Sequence, residues 1–202
     1  MDVLSAYTST ELIVKNSRFL AEVFPITSQA EARTLLKEQK TKYADSTHVV
    51  HAFIVGTGAE IMGMSDDGEP PGTAGRPILD VLKGKNCTNI ILTVTRWFGG
   101  TLLGTGGLVK AYGDSAKTVL YQSKFHTLAL MRCFSFTINY ENYEVTKRFL
   151  QSLEVENISE QFEGQITLEG YILADKAFTL EKYIAELTRG QSSVSFGENQ
   201  YR

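Results

Sequence analysis

A predicted strand, a glycine-rich segment and a predicted helix follow one another between Asn89 and Gln122, and this order limits the fold most. Residues Asn89–Thr95 are apolar or β-branched, which is typical of an interior strand. Five glycines then occur within Gly99–Gly107, here named the glycine-rich loop. Apolar residues recur at helical spacing after it, so we expect a helix from Thr105 to about Gln122. The chain therefore contains a buried strand that leads through an unusually free backbone into a long helix.

The glycine-rich loop offers a binding site for negative charge. Exposed amides at a helix start, a threonine hydroxyl and backbone without side chains can cradle an anion. The segment fits neither standard phosphate-binding fingerprint. The alternative is that the glycines only allow sharp turns and tight packing of strand against helix. The residues predicted to bind an anion, RNA or a partner are Arg76, Arg96, Gly99, Gly100, Gly104, Thr105, Gly106, Gly107 and Lys110.

A second segment, Met64–Pro77, here named the acidic loop, places the carboxylates of Asp66, Asp67 and Glu69 within four residues. Crowded carboxylates repel one another unless a cation or solvent offsets the repulsion, which suggests a site for a cation or a partner. The alternative is that Asp66 and Asp67 form turns and cap the next helix. That helix is predicted from Thr73 to Gly84, with Gly84 as its left-handed end.

The chain divides into two parts near residue 130. Residues 1–130 carry 13 Lys and Arg against 12 Asp and Glu, whereas residues 131–202 carry 7 against 11. The polar stretch Gln122–Thr127 is predicted to be the boundary. In the first part Ser28 is expected to cap a helix that ends near Tyr43, and His48–Val55 is a predicted strand. The second part reads as βαββαβ, with Asn142 expected to begin its first helix.

Composition and motifs exclude several classes of function. A net charge of −3 argues against a strongly basic, sequence-independent nucleic-acid binder. The N-terminal residues do not resemble a signal peptide, and two cysteines are too few for a secreted framework, so we expect a soluble cytoplasmic protein with no membrane partner. His48 and His51, three residues apart in a strand, point to opposite faces and do not readily share a metal. The sequence assigns no catalytic residue, metal or cofactor, and it does not give the oligomeric state.

Two strings, SDDGEPPGTAGRPILDVL and TRWFGGTLLGTGGLVKAYG, together with the segment Ala44–His48 before them, closely resemble the signatures of the YigZ/IMPACT family. The resemblance implies an α+β fold of two domains. Residues 1–127 would form the signature domain, similar to domain 2 of ribosomal protein S5. Residues 132–202 would form a small ferredoxin-like domain, similar to a C-terminal domain of elongation factor G.

The same resemblance implies a non-enzymatic cytoplasmic protein that binds RNA, the ribosome or a translation factor and so regulates translation or its response to stress. Eukaryotic relatives restrain a starvation-activated kinase, but they carry an additional N-terminal partner-binding domain, so the resemblance does not imply that mechanism for this chain. One alternative is an enzyme or binder of a phosphorylated small molecule or nucleotide, which would use the glycine-rich loop with Asp66, Asp67 and Glu69. Another is an assembly module whose conspicuous loops serve only turns and docking.

Overall fold

The computed structural model describes residues 1–201 and divides the chain into two compact units. The first unit spans Met1–Leu128, and the second begins at Ala129. Each unit is a mixed structure of helices on a β-sheet. Within residues 1–201 no helix combines the length and the apolar character that a membrane span requires.

The first unit is built on a five-stranded antiparallel sheet with the strand order β2-β3-β7-β4-β5. Strand β7, the β-branched segment, lies at the centre, as its apolar composition indicates. In chain order the elements are β1 (Asp2–Leu4), β2 (Thr8–Val14), β3 (Ser17–Pro25), α1 (Gln29–Lys42), β4 (His48–Val55), β5 (Ile61–Ser65), α2 (Gly75–Lys85), β6 (Cys87–Thr88), β7 (Ile90–Trp97), α3 (Gly104–Gln122) and β8 (Phe125–Thr127).

Helices cover both faces of this sheet. On one face Phe19, Val50 and Val94 pack with apolar side chains of α2 and α3 in the main core. On the other face a smaller cluster joins Phe53 and Ile91 to residues of α1. Alternate residues of a strand point to opposite faces, so His48 and Arg96, which are direct neighbours in the β4–β7 register, lie on the α3 side.

A small second sheet closes the first unit. Strand β1 pairs in parallel with β6 and antiparallel with β8, and the backbone amide of Leu128 donates to the carbonyl of Met1 over 2.8 Å. Part of the polar stretch predicted to be a boundary is therefore a strand of the first unit. Three residues are too few to show a period, and so the sequence pattern missed β8.

The helix ends follow the predictions in part. The hydroxyl of Ser28 accepts a hydrogen bond from the amide of Glu31 and so caps the start of α1, as expected. The prediction that Gly84 ends α2 was wrong, because the helix continues to Lys85. Asn86 takes the left-handed conformation instead, with φ of 56°. Asparagine tolerates this conformation better than other side chains, so it ends the helix two residues beyond Gly84.

The second unit has the element order βαββαβ and a four-stranded antiparallel sheet with the strand order β10-β11-β9-β12. Its two helices pack their apolar stripes on one core. The prediction that Asn142 begins its first helix was wrong. Asn139 precedes the helix, and the amide of Asn142 lies inside its first turn, bonded to the Asn139 carbonyl. The elements are β9 (Leu130–Ile138), α4 (Tyr140–Ser152), β10 (Glu156–Phe162), β11 (Ile166–Leu173), α5 (Ala177–Leu187) and β12 (Ser195–Tyr201).

Candidate functional site

The acidic loop and the glycine-rich loop line one cleft of about 480 Å³ in the first unit. The acidic loop follows β5 and the glycine-rich loop follows β7, and both strands run antiparallel to β4 between them. The C-terminal ends of β5 and β7 therefore lie at the same end of the sheet as the start of β4. The residues that line the cleft are Thr47, His48, Gly68, Glu69, Pro70, Arg96, Phe98, Leu102, Leu103, Gly104, Thr105 and Leu108.

A buried ion pair lies beneath the cleft. The Glu69 Oε1 atom accepts a hydrogen bond from Nη1 of Arg96 over 2.6 Å and another from the hydroxyl of Tyr112 over 2.7 Å. All three residues are buried. Burial, reinforced by the bond to Glu69, raises the pKa of Tyr112, so the phenol stays protonated and keeps donating. The carboxylate is thus balanced by one full charge and one neutral donor.

Arg96 was predicted to bind an anion, and the structure commits its guanidinium to other partners. Besides Glu69, it donates through Nη2 to the hydroxyl of Ser17 over 3.3 Å. The same hydroxyl accepts the amide of Gly99, which ties the start of the glycine-rich loop to β3. Arg96 therefore lines the cleft with its charge balanced by Glu69. Its hydrogen bonds hold the residues of the cleft floor in place.

His48 stands beside this pair with a fixed orientation. Its Nδ1 atom lies 2.7 Å from the backbone carbonyl oxygen of Asp67, and its Nε2 atom lies 3.8 Å from Oε1 of Glu69. The imidazole is about one-fifth exposed and lines the cleft. A ring held by a backbone carbonyl at one nitrogen presents the other nitrogen for contact with a ligand.

The three carboxylates of the acidic loop do not converge. Asp66 accepts hydrogen bonds from the backbone amides of Gly72, Ala74 and Gly75, over 2.8 to 3.0 Å, and so caps the start of α2. Desolvation alone would raise its pKa, but the three amide bonds outweigh it and lower the pKa of Asp66. This contact is the capping role that the sequence left open as an alternative.

Asp67 faces away from its neighbour and joins the acidic loop to two other elements. Its carboxylate pairs with Lys40 of α1 and accepts the backbone amide of Val49 over 2.7 Å. Glu69 points to the cleft floor instead. In the part of the chain that the structure describes, no group of three or more His, Cys, Asp or Glu side chains is placed to hold a metal ion.

The glycine-rich loop is shaped by close packing at its start. A Cβ atom on Gly99 would lie 2.0 Å from the backbone carbonyl carbon of Asn16, so only glycine fits against the β2–β3 turn. Gly100 and Gly104 have positive φ and no close neighbours, which makes them turn glycines. The reading of the glycines as turn and packing residues therefore applies to these three positions.

The start of α3 is open. Gly104, Thr105 and Gly106 are exposed, and no side chain among residues 1–201 caps the first turn of this helix. The first amides of a helix lack internal partners and carry the positive end of its dipole, which attracts negative charge. Next to them stand Phe98, 46% exposed, and Leu102, 82% exposed. The cleft thus combines backbone donors with apolar walls.

Two predicted cations lie elsewhere. Arg76 is exposed on α2 and pairs with Asp80 one turn later. Lys110 lies beyond the first turn of α3 and lines a separate groove between α2 and α3, together with Asp80 and Asp114. Of the predicted binding residues, only Arg96, Gly104 and Thr105 line the cleft with Glu69. The helical spacing of apolar residues is consistent with the buried position of Tyr112 in α3, but it gives no hint of the bond from Tyr112 to Glu69.

Known proteins match this chain over most of its length. Residues 15–120 match the family model described as the Impact N-terminal domain. IMPACT family member YvyE of Bacillus subtilis (strain 168) is 30% identical over 191 residues, which cover 95% of this chain and 88% of that protein. IMPACT family member YigZ of Escherichia coli (strain K12) is 29% identical, with 88% of each chain covered. A crystal structure of a hypothetical protein superimposes with a TM-score of 0.63 at 28% identity, covering 98% of this chain and 97% of that one.

Proposed function

Because the chain belongs to the IMPACT family, we propose that it is a non-enzymatic cytoplasmic protein that regulates translation by holding single-stranded RNA in the cleft. The ribosome or a translation factor would present that RNA. The observation that carries the proposal is the shared cleft, in which the open start of α3 stands beside the exposed ring of Phe98. Helix amides suit a phosphate, and an exposed aromatic ring suits a stacked base.

The charge distribution favours a small contact with RNA. Arg96 is balanced by Glu69, and Arg76 pairs with Asp80, so the donors that remain in the cleft are mostly backbone amides. Each phosphate of a single strand that a protein cation neutralises contributes about 0.7 to the slope with which log affinity falls against log salt. We therefore expect a shallow slope, of about 0.7 to 1.4, and modest affinity.

The finer fold assignments belong to the same proposal. We assign residues 1–127 to a domain like domain 2 of ribosomal protein S5, and residues 132–202 to a ferredoxin-like domain. The βαββαβ order of the second unit supports the latter, since its first and third strands are central and its second and fourth lie at the edges. Fold likeness to translation proteins is analogy, so the site has to carry the function.

Binding of labelled single-stranded RNA to the full chain, measured by fluorescence anisotropy at low salt, tests the proposal. Replacing Phe98 with alanine removes the stacking surface and should cost about 1–3 kcal/mol of binding free energy. Phe178→Ala is the matched control, because Phe178 is also exposed but lies in the second unit. Absence of binding to single-stranded and structured RNA, together with absence of co-sedimentation with ribosomes, would contradict the proposal.

A second candidate is a binder of a phosphorylated small molecule. The volume of the cleft favours it, because about 480 Å³ lies within the range of small-molecule sites. The separation of Asp66, Asp67 and Glu69 leaves magnesium without a shared carboxylate site in the described chain. Thermal denaturation with nucleotides and sugar phosphates distinguishes the candidates, since a ligand at 100 times its Kd adds about 2.7 kcal/mol of stability. A shift without magnesium, and no affinity for RNA strands, would favour the small molecule.

A further inference from the structure

Two polar atoms lie side by side in the cleft without a hydrogen bond between them. They are Nε2 of His48 and Oε1 of Glu69, 3.8 Å apart. This separation exceeds that of a direct hydrogen bond. Among residues 1–201, no side chain or backbone amide donates to Nε2 of His48.

The backbone decides which nitrogen of His48 is the acceptor. A carbonyl oxygen only accepts, so the 2.7 Å contact with Asp67 requires a proton on Nδ1 of His48. In the neutral ring Nε2 then carries the lone pair. The Asp67 carbonyl is itself held in place, because the Asp67 amide donates to the hydroxyl of Ser65 and its carboxylate accepts the amide of Val49. The direction of Nε2 is therefore fixed before any ligand arrives.

Glu69 is fixed equally well. Arg96 and Tyr112 both donate to its Oε1 atom, so both lone pairs of that oxygen are already used. Nε2 of His48 has no donor of this kind, so it is the atom of the two that remains free to accept a hydrogen bond from a ligand. A ligand hydroxyl supplies that donor, and a cleft that takes phosphate and base also takes the sugar between them.

We propose that His48 Nε2 accepts a hydrogen bond from a ribose 2′-hydroxyl, so that the cleft selects ribonucleotides over deoxyribonucleotides. This inference rests on the proposed function, and it names the ligand class of the same site. The 2′-hydroxyl is the group by which proteins distinguish RNA from DNA at a given position. The ribose belongs to an RNA strand or to a free ribonucleotide, and the experiment separates these two sources.

The experiment measures the binding of four probes to the full chain by anisotropy and competition: oligo(rA), oligo(dA), AMP and 2′-deoxyAMP. One lost hydrogen bond of this kind changes affinity by up to about tenfold. We expect oligo(rA) to bind up to about tenfold more tightly than oligo(dA), and AMP to compete better than 2′-deoxyAMP. If AMP binds nearly as tightly as oligo(rA), the site serves free nucleotides. If AMP binds much more weakly than oligo(rA), the site serves strands.

His48→Asn isolates the contact. The asparagine amide reproduces the donor that faces Asp67, but it has no group in the place of Nε2. We expect the preference for ribose to fall below about twofold. His126→Asn is the matched control, because His126 is exposed, lies outside the cleft and contacts Ser5. It should keep the full preference for ribose.

A further probe does not depend on any variant. Oligo(rA) with 2′-O-methyl groups keeps the ribose but has no 2′-hydroxyl to donate, so it should bind the unaltered protein as weakly as oligo(dA) does. Equal affinity for oligo(rA) and oligo(dA) would overturn the inference and leave the proposed function standing. Binding of neither strand nor nucleotide would overturn both. A preference for ribose that persists in His48→Asn would assign the selection to another residue and overturn the inference.

Discussion

The Nη1 atom of Arg96 lies 2.6 Å from Oε1 of Glu69, and the two side chains are 6% and 3% exposed. From the sequence, Arg96 was expected to bind an anion, whereas Glu69 was expected to bind a cation or a partner. In space they are each other's counter-ion. Neither charge acts on a ligand independently of the other, and the cleft floor is close to neutral where a phosphate would approach.

Breaking this pair on one side should be costly. Arg96→Met leaves the carboxylate of Glu69 buried without its cation, so we expect the free energy of unfolding of the first unit to fall by about 3–5 kcal/mol. Urea denaturation of the full chain, followed by the fluorescence of Trp97 next to the variant site, measures the change. The double variant Arg96→Met with Glu69→Leu should recover most of the loss. A double variant as unstable as Arg96→Met would show that the loss came from packing.

Tyr112 predicts a loss of stability at alkaline pH. Burial, then the hydrogen bond to Glu69, raises the pKa of this phenol above its ordinary value of 10.0. The folded protein holds the proton more tightly than the unfolded chain, so this stability is complete below about pH 10 and falls as the pH rises above it. Tyr112→Phe should remove this part of the decline, and it should cost about 1–3 kcal/mol at neutral pH because Glu69 loses a donor. Denaturation in urea at pH 8 to 11 measures both effects.

His51 predicts a loss of stability on mild acidification. Burial, then the charge of Lys40, lowers its pKa to about 4, while Asp67 acts in the opposite direction. The unfolded chain takes up the proton first as the pH falls, near 6.5. The contribution of His51 is therefore present above pH 6.5 and is lost between pH 6.5 and about 4, up to about 2–3 kcal/mol.

Replacing His51 with glutamine should flatten this decline in stability with pH. His126→Gln, at an exposed position, should leave the decline intact. The titration of His51 followed by nuclear magnetic resonance gives a direct check. A midpoint for His51 near 6.5 would contradict the prediction.

Two glycines of the glycine-rich loop should respond in opposite directions to alanine. Gly99→Ala places a methyl group against the backbone of Asn16 and should cost about 1–3 kcal/mol, because the loop has to shift. Gly106 lies in α3 with open space around its Cα, so Gly106→Ala should stabilise the helix by up to about 1 kcal/mol. Denaturation of both variants in parallel measures the contrast. Equal stability of both variants would contradict the packing of Gly99.

Local signals in the sequence were sufficient for much of the fold. The β-branched run became the central strand β7, the long helix began within one residue of Thr105, and Ser28 caps α1. Each of these signals comes from residues that are neighbours in the chain. The predicted end of α2 at Gly84 was wrong, because Asn86, two residues further along the chain, serves the same local purpose.

The site was harder to predict because its contacts join distant residues. The order of the strands and the packing position of α3 bring Glu69, Arg96 and Tyr112 together. No pattern of spacing along the chain predicts these contacts. The carboxylates of Asp66, Asp67 and Glu69 are close in sequence, yet the left-handed backbone of Asp67 turns them toward three different partners. Proximity along the chain predicted a cluster, and the turn geometry dispersed it.

The pairing of β1 with both β6 and β8 determines when the first unit can finish folding during synthesis. Residues Asp2–Leu4 leave the ribosome well before their partners, which begin at Cys87 and end at Thr127. At about 5–20 residues per second, the earliest strand waits about 6–25 seconds for its last neighbour. An affinity tag fused ahead of Met1 would sit where the two ends of the unit meet. Tags placed there should therefore slow the folding of the first unit more than tags placed after Arg202.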